Sequence, residues 1–526
     1  MTIDERRGGR KMALRKWLAT ITVGILILAL AAGCGGGAKT GAPAAGSDNG
    51  ASAKPKRLTV GIADTVQTLD VQKQGSMGTM SVLSNLYDPL VRRGNDGKLY
   101  PALATEWKAL DDHTWQFKLR QGVKFHDGEA FDANAVKFSI ERILNPQTKS
   151  PITELKDVDR VEIVDGNTVN IITKKVVPNL PDTLALFGGC IVPPKYIQQQ
   201  GDQAFAQKPV GTGPFKFKDW QKDDHLTLVS NKEYWGGAPK VDELVFRSLP
   251  DAADRVAALL SGQVDIINQV PADSQERVKG DSNLRLDKAN GLRLYYLSTA
   301  AEKGPTADVR VRQAISYAID TQALITHLLN GNGAPTAAPV TQFSFGYDPA
   351  LKPYEYNPQK AKDLLAKAGY KDGFEIKFQT QPGFYKDLSE AIAGMLAKVG
   401  IRAKLEVLPD AQFDELYEKG KLAPLWTNGY TLWQGSPETL VSVFFKTGMP
   451  RAHYHNDQMD RLIATFQGTT DQAKRLDALH SALRALHDDA AWSYLFVAGD
   501  AYGARKTVKW TPPTNQILFL KDAGIE

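Results

Sequence analysis

Cysteine is nearly absent from this sequence: Cys34 and Cys190 are the two in 526 residues. Two thiols cannot build a disulfide framework, and a chain this long has enough core to do without one. With Cys34 modified, Cys190 has no partner and is expected to be a buried thiol beside the Phe187-Gly188-Gly189 turn. A surplus of one charge is also lacking. The net charge is +5, and residues 1–33 hold six Lys/Arg (Arg6, Arg7, Arg10, Lys11, Arg15, Lys16) against Asp4 and Glu5, a surplus of four, which leaves +1 for the rest. Such a body has no basic face for nucleic acid. The longest apolar run, Trp17 to Ala32, is interrupted by Thr20, Thr22 and Gly24, and is short for a span of about 30 Å of hydrocarbon.

Catalytic signatures are missing too. There is no G-x-S-x-G elbow, no H-E-x-x-H and no C-x-x-C. Gly211-Thr212-Gly213-Pro214 is followed by no Gly-Lys-Ser/Thr and reads as a tight turn into the strand Phe215-Lys216-Phe217. The histidines are scattered. His453 and His455 would point the same way on a strand and could share a metal, but no third ligand is evident, and a polar loop entering a helix near Asn456-Asp457 is the better reading. His126-Asp127-Gly128-Glu129 reads as a solvated turn. No catalytic residue, cofactor or metal is expected, which disfavours a secreted hydrolase.

What is present begins at the N-terminus. A basic stretch ending at Arg15-Lys16, an apolar run, and then Leu30-Ala31-Ala32-Gly33-Cys34 follow the order of a secretory signal peptide. Small residues before a cysteine resemble a bacterial lipobox, in which Cys34 carries lipid and becomes the new N-terminus, with Ala31 standing where leucine is commoner. Residues 1–33 are thus expected to be a lipoprotein signal peptide. Residues 34–56, built of Gly, Ala, Ser, Pro and Lys, cannot bury enough surface to fold and are expected to be a flexible tether.

The body reads as α/β. Arg57–Ile62 alternates as a strand, and Met77 to Tyr87 reads as a helix. Thr114–Leu119 and Val123–Phe125 read as a hairpin around Gln121-Gly122. Asp132 caps a helix from Ala133 to Ile143. Val161–Val164 and Thr168–Ile171 flank the turn Asp165-Gly166-Asn167. Asn357-Pro358 starts a helix whose Ala361, Leu364, Leu365 and Ala368 share one face. Leu388, Ile392, Met395, Leu396 and Val399 make a second stripe, stopped by Gly400 and followed by the strand Ile401–Val407. Helix then strand, repeated, argues for sheets covered by helices. Length sets about two to four lobes or domains. Trp426, Tyr430 and Trp433 cluster around Asn428-Gly429 in a loop-like segment, where aromatic rings offer stacking to a ligand. Trp426 has an equal alternative as a buried strand residue.

One run carries a resemblance. Pro101-Ala102-Leu103-Ala104-Thr105-Glu106-Trp107, then Trp115 to Gly128, resembles the signature of the family 5 extracellular solute-binding proteins, the oligopeptide, dipeptide and nickel receptors of ABC importers. Ordered matches continue through Leu69-Asp70, Pro209 to Phe215, Tyr234-Trp235, Gly262 to Ile266, Val309 to Ile315 and Tyr356-Asn357-Pro358. The resemblance implies a two-lobed periplasmic-binding-protein type II clamp with an extra subdomain in the first lobe. Residues 57–92, 206–296 and 500–526 would form lobe I, 93–205 the extra subdomain and 297–499 lobe II, with hinge crossings near Leu294–Leu297 and Phe496–Asp500. By position it also implies a ligand cleft formed by Gly75, Ser76, Met77, Asn268, Gln269, Asn428, Gly429, Tyr430, Thr431, Leu432, Trp433, Gln434, Tyr494, Phe496 and Val497.

The implied protein is a monomeric receptor, lipid-anchored at Cys34 on the outer face of the cytoplasmic membrane. It would bind a peptide or other small solute and deliver it to ABC permease subunits. Peptide-binding members typically hold an aspartate shortly after the glycine of the third cleft segment, where it pairs with the peptide's amino group. Here Trp433 stands there, and Glu438 is expected on the following helix. That departure keeps an oligosaccharide, an opine-like solute or a metal chelate open as ligands. A structural or chaperone-like surface protein is a further alternative, but leaves the aromatic cluster unexplained.

Overall fold

The computed structural model describes residues 55–526, so Cys34, the signal segment and nearly all of the tether lie outside the described residues. One sheet of eleven strands organises the chain. Ten of them run in the order Ile401–Val407, Phe374–Thr380, Leu425–Thr431, Leu284–Thr299, Trp492–Arg505, Ile266–Ile267, Arg57–Ile62, Glu243–Ser248, His225–Ser230 and Phe215–Gln221, with Gly333–Pro335 added beside Trp492–Arg505. A separate four-stranded sheet, Ala104–Asp111, Thr114–Leu119, Thr168–Thr173 and Val158–Asp165, is joined to the first half and shares its hydrophobic core. The fold is α/β, as the residue pattern leads one to expect, and two-lobed, as the family resemblance implies.

Leu284–Thr299 and Trp492–Arg505 belong to both halves. The start of the first pairs with the end of the second, Leu284 to Arg505 through Ala289 to Asp500, next to Ile266–Ile267. Its later part, Arg293–Thr299, stays paired with Trp492–Ala498 on one edge and takes up Leu425–Thr431 on the other. Between them the register slips. From Ala289 to Arg293 is four steps, opposite two steps from Asp500 to Ala498, so two residues bulge from the ladder. A bulge bends a strand and sharpens its twist. One interruption therefore lies at Ala289–Arg293, just ahead of the expected Leu294–Leu297 segment, and a second slip lies inside that segment, where Tyr295 and Tyr296 face Phe496 and Tyr494 and leave Leu495 unpaired. A Cβ on Gly291 would collide with the Ala498 carbonyl oxygen, so only glycine permits this approach.

Local chemistry explains the covering helices. Asp132 accepts from the Asn134 and Ala135 amides and starts Ala133–Leu144. Asn357 accepts from Lys360 N ahead of Pro358–Lys367. Leu388, Ile392 and Leu396 bury one face of Phe384–Ala397 against Ile376, Phe378, Ile401 and Leu425. Gly400, at φ 95, then reverses the chain into Ile401–Val407.

Three local expectations are corrected. Thr114–Leu119 forms no hairpin with Val123–Phe125. It lies between Ala104–Asp111 and Thr168–Thr173, where Trp115 faces Ile171 and Phe117 faces Val169. Burial against a distant strand outweighed the nearby Gly122 turn. The expected helix at Met77–Tyr87 is a short 3-10 turn, Met77–Thr79, and one helical turn, Met80–Leu83. Asn85 ends it by donating to Ser81 O and Leu518 O and accepting from Leu520 N. The turn His126-Asp127-Gly128-Glu129 is present and exposed at Asp127 and Gly128, but the His126 ring is half-buried and hydrogen-bonded to protein. Its Nδ1 accepts from Gly211 N at 3.2 Å and its Nε2 donates to Gly213 O at 3.0 Å. Burial pushes this imidazole down to about 4, and protonating Nδ1 would also break the Gly211 contact.

Two outcomes follow. Because His126 titrates lower folded than unfolded, its share of stability is complete above pH 6.5 and is lost as pH falls towards 4, a loss of about 3 kcal/mol. Urea midpoints measured across that window should fall with pH, and more shallowly in His126→Gln. Gly291→Ala should lower unfolding free energy by about 2 kcal/mol through overpacking at the crossing, read in the same titrations.

Candidate functional site

In open α/β sheets, ligands bind outside the carboxyl ends of the strands. Arg57–Ile62 runs parallel to Glu243–Ser248 and Ile266–Ile267, and Phe374–Thr380 runs parallel to Ile401–Val407 and Leu425–Thr431. The residues just past these ends converge. Asp64 follows Ile62 by two, Asn268 and Gln269 follow Ile267 directly, and Trp433 follows Thr431 by two. Together with Met77, Gly78, Asp500 and Gln516 they line a cavity of 140 Å³. Trp433 also borders a second cavity, of 260 Å³, with Leu186, Trp510, Ile517 and Phe519. Indole from one half thus meets carboxylates and amides from the other.

The first-half loops are held from behind. Arg255, 3% exposed, donates to the carbonyls of Asn268 at 3.2 Å, Gln269 at 3.3 Å, Leu249 at 2.7 Å and Pro250 at 2.9 Å. Burial lowers its pKa. Asn268 Oδ1 accepts from Ala63 N at 3.0 Å, tying the two loops together. Gln269 sits at φ 53, a left-handed conformation that a side chain rarely adopts; the Arg255 contacts hold it there. Burial raises the pKa of Asp64, partly offset by its bond from Ser76 Oγ at 3.4 Å.

The crossing supplies two further charges. Asp500 Oδ1 accepts from Gln516 Nε2 at 2.7 Å, while its Oδ2 is buried with no hydrogen-bond partner among the described residues. Arg293 donates to the hydroxyls of Tyr295 at 3.1 Å, Thr431 at 3.2 Å and Tyr385 at 2.6 Å. It lies against Gly429, where a Cβ would come within 3.0 Å of its Nε. Arg293 pairs with Ala498, and Asp500 is two residues further along, so acid and base share one face of the sheet.

The expected cleft residues separate into groups. Met77, Asn268, Gln269 and Trp433 line the 140 Å³ cavity. Ser76 reaches Asp64, and Gly75 lies beside Pro151. Thr431 and Gly429 meet Arg293, and Asn428 Oδ1 turns back to accept from Gly429 N. Gln434 uses its carbonyl to accept from Arg93 Nη2 at 2.8 Å, a bond between the halves. Val497 borders a small cavity with Asn290 and Phe343. Tyr430 packs on Phe444 and Tyr494 on Trp492. Leu432 and Phe496 are corrections: at 1% and 0% exposure their side chains belong to the two cores of the second half, Leu432 just past the end of Leu425–Thr431 and Phe496 next to the equally buried Leu495 at the register slip.

Trp426 is likewise buried, packed edge-on against Tyr296, Tyr417 and Trp492. Glu438 is spent on Arg475, whose Nη2 reaches both carboxylate oxygens at 3.0 and 2.8 Å. His453 and His455 both approach Glu302, at 3.5 and 3.0 Å. Among the described residues no group of His, Cys, Asp and Glu is arranged to hold a metal ion, and no helix is long and apolar enough to cross a membrane. Asp64, Asp500, Arg255, Arg293 and Tyr385 were missed from sequence. The one available signal was position: Asp64 and Asp500 stand next to segments already marked as strand ends or crossings.

Two halves sharing a pair of long strands, with a cavity at the strand ends between them, define a type II periplasmic binding protein. Residues 98–450 match the family model described as bacterial extracellular solute-binding proteins, family 5 middle. The chain belongs to that family, the solute-binding components of ABC importers, which are binding proteins and not enzymes. Heme-binding protein A of Haemophilus influenzae is 30% identical over 74% of this chain and 78% of its own. The probable D,D-dipeptide-binding periplasmic protein DdpA of Escherichia coli is 30% identical over 89% and 94%. Among solved structures, HbpA2 from Haemophilus parasuis superposes with a TM-score of 0.81 at 26% identity, over 89% of this chain and all of that one. DppA from Helicobacter pylori in complex with the peptide STSA gives 0.69 at 26% identity, over 89% and 98%.

Replacing Arg255 with Met strips four carbonyls of their donor. Unfolding free energy should drop by about 3 kcal/mol, and hydrogen exchange should speed up at Asn268–Gln269 before the rest of the sheet.

Proposed function

We propose that this chain is the lipid-anchored receptor of an ABC importer for peptides, captured between two hinged lobes and handed to the permease. The observation that carries this reading is the interlobe cavity, in which Trp433 faces Asp64, Asn268, Gln269 and Asp500. A surface with Asp500 and Arg293 on one face suits a zwitterion better than a neutral oligosaccharide, which offers no charge to either. Relatives named for D,D-dipeptide and glutathione binding support the same class. AgaA in complex with agropinic acid, at 29% identity and a TM-score of 0.68, keeps the opine alternative in view.

In this reading residues 57–92, 206–296 and 500–526 form lobe I, 93–205 its extra subdomain and 297–499 lobe II. The hinge is the bulge at Ala289–Arg293 with the facing Ala498–Asp500. Closure is a shift towards the state with better solute contact. Arg93 to Gln434 O at 2.8 Å and Arg475 to Pro178 O at 3.1 Å are contacts across the halves that such motion would remake. Residues 1–33 direct export, and lipid on Cys34 with the 34–56 tether holds the monomer at the outer face of the cytoplasmic membrane.

Solute released by denaturing the purified protein and identified by mass spectrometry tests the ligand class: a peptide is expected, and a sugar or metal chelate would overturn the assignment. Tryptophan emission tests the site. Tri-alanine or glutathione should perturb it in the wild type and in Trp426→Phe, whereas Trp433→Phe should lose most of the change.

A further inference from the structure

The position after Gly429 where peptide receptors typically keep an aspartate holds Trp433, and the nearest acid in sequence, Glu438, is committed to Arg475. A solute amino group entering this cavity therefore needs another anion. We infer that Asp500, on the returning crossing strand, is that anion: it receives a protonated primary or secondary amine of the solute, with Asp64 across the same cavity as the second carboxylate. This deepens the receptor reading above and rests on it.

Four observations support the assignment. Asp500 and Asp64 both line the 140 Å³ cavity with Trp433. Asp500 Oδ2 is buried and has no hydrogen-bond partner among the described residues, while Oδ1 is held by Gln516 Nε2 at 2.7 Å, which leaves one oriented oxygen for a donor. No salt bridge among the described residues reaches Asp500, although burial pushes its carboxyl up to about 6, so near neutral pH it is a desolvated anion lacking a counter-ion. An unpaired buried charge is costly, and a bound ammonium offsets that cost. Finally, the backbone is cleared for it: a Cβ on Gly291 would stand 3.2 Å from Oδ2, and one on Gly78 would collide with the Asp64 carboxylate. The indole of Trp433 borders the same space and suits a cation stacked on its face.

The test uses the full chain with tri-alanine and N-acetyl-tri-alanine, titrated by tryptophan emission. The wild type should bind the free amine at least about tenfold more tightly than the acetylated form, the difference of one charge-assisted contact. Asp500→Asn should bring the two within about threefold of each other, and Asp64→Asn should reduce the preference in part. Circular dichroism confirms that each variant is folded, and the acetylated probe makes the comparison without altering the protein. Equal binding of both probes by the wild type would overturn the subsite and leave the receptor reading standing, as would a preference undiminished in Asp500→Asn. If neither probe perturbs emission, the peptide reading fails, and the solute that co-purifies decides the subsite. A solute without a protonable nitrogen overturns it; one that has such a nitrogen and is lost from Asp500→Asn supports it.

Discussion

Everything in this molecule hangs on two antiparallel strands that belong to both halves. Leu284–Thr299 and Trp492–Arg505 pair with each other along most of their length, yet each end is hydrogen-bonded to a different partner sheet segment. A continuous ladder would be stiff. The two-residue excess at Ala289–Arg293 breaks it, Gly291 lets the backbones stay in contact there, and a second slip follows at Tyr295–Tyr296. The consequence is a joint that is covalently doubled but locally free of ladder bonds. Cores on either side remain separate: one cluster gathers Leu58 to Ala523, two others gather residues between Leu294 and Phe496.

The same joint delivers charge. Arg293 and Asp500 flank the bulge; Asp500 lines the cavity at the strand ends, and Arg293 is held by Tyr295, Thr431 and Tyr385. The surrounding loops are polar and tied by backbone contacts: Arg255 collects four carbonyls, and Asn268 binds Ala63 N. Backbone amides and carbonyls consumed in this way cannot compete for the solute. What remains free to do so is a short set of side chains aimed into the cavity, an arrangement that favours orientation over bulk affinity.

Much of the fold was legible because its signals are local. Asp132, Asn357 and Gly400 act on neighbours within four residues, so capping and turn chemistry named their helices and strands correctly. The failures were all non-local. Thr114–Leu119 took the preceding Ala104–Asp111 on one edge and a strand more than fifty residues away on the other, in place of Val123–Phe125. Asn85 ended a helix by reaching Leu518 and Leu520. His126 was drawn into the interior by Gly211 and Gly213. In the site, position within the family pattern marked Met77, Asn268, Gln269 and Trp433, which do converge, but it also marked Leu432 and Phe496, which are buried in the cores of the second half.

By itself, the sequence determined the class of this protein: a secreted-type leader pattern, an α/β body, ordered motifs of a solute-binding family and a missing aspartate beyond Gly429. Those are properties of residue order, readable wherever the responsible neighbours are adjacent. Only the tertiary structure decided which charges meet the solute. Asp64 and Asp500 are separated by most of the chain, and neither is unusual in its local context. They become a pair because parallel strand ends and a bulged crossing bring them to one cavity, where burial leaves an Asp500 oxygen unpartnered among the described residues.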